Sequence, residues 1–112
     1  MGDISVVKDM AARAALDGDG AGDPRVTALR AAVSHCRRAL AGYRSNLPDR
    51  HIAEDELAAL ASAAAAGVPD VPRLRRGLLV LTGALGSVSA LSAALTEVRR
   101  AIELFGAPPS AD

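Results

Sequence analysis

The stretch Asp23-Pro24-Arg25-Val26-Thr27-Ala28-Leu29-Arg30-Ala31-Ala32-Val33-Ser34-His35-Cys36-Arg37-Arg38-Ala39-Leu40-Ala41-Gly42-Tyr43 decides the fold. Within it Val26, Leu29, Val33, Cys36, Leu40 and Tyr43 recur at spacings of 3, 4, 3, 4 and 3, the rhythm of an apolar seam on an α-helix. Asp23 is a good N-cap, because its carboxylate accepts from a free amide of the first turn. Pro24 suits the first helical position, where no amide hydrogen is needed. Gly42 and the turn Ser45-Asn46-Leu47-Pro48 end a helix predicted over 24–43. A single apolar seam must be covered, so the remaining chain is read for partners.

A second helix, over 49–66, opens at Pro48-Asp49 and carries Glu54, Asp55 and Glu56 in its early turns, where the helix dipole favours acids. Ala53, Leu57, Leu60 and Ala64 line one face, and Gly67 followed by Pro69 stops it. The third, over 72–85, starts near Asp70 and Pro72, with Leu74, Leu78, Leu81, Leu85 and Val88 in the same rhythm. Leu91, Leu95, Val98, Ile102 and Phe105 resume that rhythm after a one-residue slip. Gly83, Gly86, Ser87 and Ser89 sit at the slip. Either one long helix kinks there or a fourth helix begins. Since glycine costs about 1 kcal/mol in a helix interior, the reading adopted is a break, with a fourth helix over 87–105. The fold class expected is therefore all-α, a small bundle of three to four helices with a kinked or broken C-terminal pair.

Three segments divide the 112 residues. Residues 1–22 are an N-terminal arm and Gly/Asp linker, 23–106 the bundle, and 107–112 a tail beginning Ala107-Pro108-Pro109. Ile4, Val7 and Ala11 fall on one side of a short helix over 1–16. The linker Asp17-Gly18-Asp19-Gly20-Ala21-Gly22 has the look of a calcium loop, but Ala21 and Ala28 stand where the fifth and twelfth positions need oxygen ligands.

Composition narrows the function classes. Half the residues are apolar, yet Tyr43 and Phe105 are the only aromatics, and alanine is the commonest of the rest. Such a core works where backbones approach closely, which suits helices. Basic and acidic residues balance at thirteen each, so no global field draws the chain to nucleic acid or an anionic membrane. Lone Cys36 excludes an internal disulfide, and Asp3, Lys8, Asp9 and Arg13 stand where a signal peptide needs an apolar run. A cytoplasmic location is expected.

Enzyme chemistry is not expected, nor a metal or cofactor. His35, Cys36 and His51 are too few and badly spaced for zinc. His35 and Cys36 are adjacent on a helix, so they point about 100° apart. Cys36 is most simply a small core residue. The uncharged run 77–96 has the length of a membrane span, but its three glycines, three serines and two threonines favour a buried hairpin or an oligomer seam.

Three polar or small-residue features are candidates for interaction. Gly83 with Ser87, and Gly86 with Ala90, are small residues four apart, which admit a close helix. They serve either a contact inside the bundle or a self-association seam. Arg73, Arg75 and Arg76 crowd the first turn of the third helix, against its dipole. They are either solvated, bonded to helix-end carbonyls, or a patch for an acidic partner, phosphate or nucleic acid. Glu54, Asp55 and Glu56 are expected at the opposite end of the bundle, so pairing them with the arginines would require a second copy.

Asp23-Pro24-Arg25-Val26, Pro48-Asp49-Arg50, Ile52-Ala53-Glu54-Asp55-Glu56-Leu57, Arg73-Leu74-Arg75-Arg76, Gly86-Ser87-Val88-Ser89-Ala90-Leu91 and Leu104-Phe105-Gly106 together resemble a family of small actinobacterial proteins of unknown function, typical of streptomycetes. The likeness covers about residues 23–106. More loosely, the chain is similar to helical segments beside effector domains in bacterial signalling and conflict proteins. The resemblance implies a cytoplasmic helical module with an adaptor role and no catalytic residues to transfer. The expected function is a non-enzymatic, self-associating interaction module. Polyanion or nucleic-acid binding through the arginines is the alternative, and membrane association a further one.

Overall fold

The computed structural model describes residues 22–106. The helix read over 1–16, the linker up to Ala21 and the tail 107–112 lie outside the described residues. Four α-helices follow in order: α1 (Pro24–Gly42), α2 (Arg50–Ala65), α3 (Val71–Leu85) and α4 (Ser92–Gly106), with a 3-10 turn at Ser89–Leu91 leading into α4. No strand occurs among the described residues. Short connections make successive helices antiparallel neighbours, and α1 closes the bundle against α4.

The seam of α1 is the core. Val26, Leu29, Val33, Cys36 and Leu40 are buried, and Tyr43 packs half-buried at the helix end. The faces read for α2 and α4 are buried too: Ala53, Leu57, Leu60 and Ala64 on one, Leu95, Val98 and Ile102 on the other. Eight leucines are almost wholly buried: Leu29, Leu40, Leu57, Leu60, Leu74, Leu81, Leu85 and Leu91. Each is worth about 1.5–3 kcal/mol relative to exposure. Leucine therefore carries the core, and alanine sets how near the helices stand.

Helix ends follow their caps. The Asp23 carboxylate accepts from the Arg25 amide at 2.8 Å, and Asp70 accepts from the Arg73 amide at 3.3 Å. Gly67 ends α2 with φ of 132°, a conformation that side chains with a Cβ rarely adopt. The break after Leu85 is present, but α4 starts at Ser92 and not near Ser87. Val88 is extended and the 3-10 turn absorbs the slipped residue before the seam resumes at Leu91.

Candidate interaction surfaces

Arg73, Arg75 and Arg76 do not form one free patch. Arg73 Nη1 donates to Glu56 Oε2 at 2.7 Å, a half-buried ion pair within the chain. The acidic and basic segments thus meet inside one molecule, correcting the expectation that only a second copy brings them together. Glu56 is the seventh residue of α2 and Arg73 the third of α3. Between them lies buried Gly77, whose missing side chain leaves a lane along which the two long side chains reach each other. Arg75 donates to the Gly106 carbonyl at 3.2 Å, closing the C-terminus of α4. Arg76 is exposed and without a hydrogen-bonding partner among the described residues. On α2, Glu54 stands 3.9 Å from Arg50, and Asp55 is exposed.

The small residues are divided by the break. Gly83, Gly86, Ser87 and Ala90 are all exposed. With α3 ending at Leu85 and Val88 extended, Gly83 and Ser87, or Gly86 and Ala90, no longer lie on one helical face. The continuous seam drawn through them is corrected accordingly. Inside the bundle it is Gly77, which the sequence reading passed over, whose bare backbone is approached closely, by the side chains of Glu56, Leu60 and Arg73. Its signal was a glycine in phase between Leu74 and Leu81.

What remains outward on α3 is Arg76, Leu79, Val80 and Gly83, on one side of the helix. Leu79 is 72% exposed and Val80 38%. Around Gly83 there is open space: a Cβ built there meets nothing within 4 Å.

Grooves flank α1 on both sides. One, of about 610 Å³, runs between α1 and α4 over Ala28, Ala31, Ala32 and Ala101. His35 and Glu97, joined at 2.6 Å, close one end of it, and Leu104 stands half-exposed at the other. The second, between α1 and α2, is lined by Arg30, Arg37 and Arg38 around Ser34, with Ala61 and Ala65 opposite. Arg38 donates to the Ser34 hydroxyl at 2.7 Å. No ion pair engages these three arginines among the described residues. The sequence reading missed this strip. Its signal was the i, i+7, i+8 spacing of arginines behind the α1 seam.

Cys36 is buried, and burial first, the nearby Glu97 charge second, pushes its thiol up. That is opposite to what a nucleophile requires. Among the described residues no three His, Cys, Asp or Glu side chains are placed to hold a metal ion. No helix among them is long and apolar enough to cross a membrane.

A sequence family described as a family of unknown function, DUF5955, matches residues 18–106. The chain belongs to that family. The match takes in all four helices and starts within the Gly/Asp linker, leaving residues 1–17 outside it. No curated protein and no solved structure matches the chain.

Proposed function

We propose that this member of the family is a non-enzymatic interaction module that pairs with a second copy of itself through the outward face of α3. One observation carries the reading: Leu79 lies 72% exposed on a helix face whose next turn is Gly83, with open space over its backbone. A large side chain beside a bare backbone is a knob beside a hole. Covering it removes leucine and valine surface from water at about 25 cal/mol per Å². Burial of the thiol that serves best as a nucleophile supports the non-enzymatic part. The family resemblance supports an adaptor role in the cytoplasm of an actinobacterium.

Light scattering on size-exclusion eluates at about 10–100 µM tests self-association. The expected result is a dimer that Leu79→Glu converts to monomer, while Ser62→Glu on exposed α2 surface does not. A wild-type chain that stays monomeric throughout that range overturns the reading.

A second reading, binding of a polyanion, has the strip Arg30, Arg37 and Arg38 in its favour. These arginines replace Arg73 and Arg75, which are engaged within the bundle. It predicts an affinity that falls steeply with salt and drops when the three become glutamine.

A further inference from the structure

We propose that the groove between α1 and α2 is a binding site for a small organic phosphate monoester, its phosphate group held by Arg30, Arg37 and Arg38 around the Ser34 hydroxyl. The inference deepens the polyanion reading: it rests on the same strip binding anions and narrows the ligand to one terminal phosphate group. It is independent of self-association through α3, which lines neither side of this groove.

The groove is lined by cations without an acid. α1 carries no acidic residue along its whole length. α2 carries its three in the first two turns, whereas Ala61 and Ala65, which face the arginines, lie toward its other end. Glu56 is taken by Arg73, and Glu54 stands 3.9 Å from Arg50. Glu54 shares the next hollow along with Arg37 but forms no ion pair with it. The fold engages Arg25, Arg50, Arg73 and Arg75 in bonds of its own. Arg30, Arg37 and Arg38 are instead exposed and gathered on one groove.

Helix spacing gathers these groups about Ser34. That residue lies four positions from both Arg30 and Arg38, about 6 Å of rise each way, and all sit on one side of α1. Arg38 Nη1 donates to Ser34 Oγ at 2.7 Å, so its guanidinium is folded back one turn toward Arg30. The serine hydroxyl accepts that bond and keeps its own hydrogen to donate. Arg37, three residues beyond Ser34, flanks the same point.

Every polar side chain in the lining offers hydrogens, so the ligand has to supply acceptors and negative charge. A phosphate monoester carries about −1.5 to −2 charge at pH 7 and three acceptor oxygens, which match several guanidinium forks and a hydroxyl. A carboxylate offers one charge and two oxygens, enough for one fork. The groove has a volume of about 400 Å³, with buried Val33 as floor and Ala61 and Ala65 opposite. That is more room than a phosphate group fills, and its apolar side fits the organic part of a small ester.

An NMR titration of the full chain with phenyl phosphate tests the site, with benzoate as the carboxylate control. Amides of residues 30–38 and 61–65 should shift together and saturate, with an affinity at least about tenfold above that for benzoate. Arg38→Gln should weaken binding about tenfold or more, and Arg38→Lys, which keeps the charge but loses the fork, by a smaller factor. Ala65→Glu, which sets a carboxylate in the groove from an exposed position, should abolish binding, and Arg76→Gln should leave it unchanged. The proposal is overturned by a parent chain that does not saturate up to about 10 mM, by equal affinity for benzoate, or by binding that survives both Arg38→Gln and Ala65→Glu. A phosphoserine peptide bound at least about tenfold more tightly than phenyl phosphate overturns it in favour of a phosphoprotein partner. Duplex DNA that binds where phenyl phosphate does not overturns it and leaves the polyanion reading standing. If neither binds, both fall.

Discussion

Arg73 of α3 and Glu56 of α2 meet at 2.7 Å across the bare backbone of Gly77. A Cβ on Gly77 would stand 2.5 Å from the Glu56 carboxylate, 3.1 Å from Leu60 and 3.2 Å from Arg73. Glycine inside α3 costs about 1 kcal/mol in helix propensity, and the lane for the ion pair offsets part of that cost. Two opposing effects of similar size then act on any substitution. Gly77→Ala is expected to change stability by less than about 1 kcal/mol, since the propensity gain and the displaced pair nearly cancel. In an Arg73→Gln background, where no pair is left to displace, the same substitution should be more favourable by about 0.5–1 kcal/mol. Urea unfolding of the double-mutant cycle measures this, and strictly additive changes would refute the coupling.

Arg50, the first residue of α2, turns back to the end of α1. Its guanidinium donates to the Leu40 carbonyl at 2.8 Å and to the Tyr43 carbonyl. One side chain thereby satisfies two acceptors at a helix C-terminus that has no basic residue in its own last turn. Arg50→Met, which keeps the aliphatic stem, should cost about 1–2 kcal/mol. Its loss should be felt first as faster amide exchange in residues 41–49. An unchanged denaturation midpoint would show that water replaces the guanidinium without cost.

Asp23 holds Arg25 with both carboxylate oxygens, at 3.1 and 2.7 Å, and Arg25 in turn lies 4.9 Å over the Phe105 ring. The start of α1 is so tied to the end of α4. The Arg25 guanidinium, through its hydrogen bonds, holds the Asp23 carboxyl below the usual aspartate range, and the Arg25 amide adds to this. A depressed folded-state value means the stabilisation is complete above the unfolded pKa near 3.8 and is lost as pH falls through the lower folded value. Asp23→Asn keeps an N-cap but removes the charge. Melting temperature followed from pH 6 to about pH 2 should therefore fall less steeply in Asp23→Asn than in the parent. Parallel curves would remove Asp23 as a contributor to the acid limb.

Cys36 should behave as a core atom. Fully buried and with its thiol pushed up, it is expected to alkylate in the native state only through opening of the bundle. The rate should be at least about a hundredfold below that of the unfolded chain. Cys36→Ser should cost about 1–3 kcal/mol, because the hydroxyl enters an apolar seam without a partner. Cys36→Val should be tolerated better. Rapid labelling of the folded protein by iodoacetamide would contradict this placement.

Much of the bundle was legible because its signals are local. The 3-4 rhythm from Val26 to Leu40 is a property of one helix, and burial follows it residue by residue. Asp23, Asp70 and Gly67 mark ends for reasons contained in a few neighbouring dihedrals. The start of α4 was misplaced by five residues, since a slipped count shows only that a residue must be absorbed. That it is absorbed in a 3-10 turn at Ser89–Leu91 depends on how Leu91 is seated against the core.

By itself the sequence determined a bundle of three to four amphipathic helices, their order, and the identity of the side chains that leave water. These depend on periodicity and capping, which act within one or two turns. Only the tertiary structure decided that Arg73 reaches Glu56, that Arg75 closes α4, and that Leu79 and Gly83 face outward. It also opened the alanine groove between α1 and α4. Those outcomes depend on the rotation and relative level of packed helices, set jointly by all four buried faces, and no single stretch of chain encodes them.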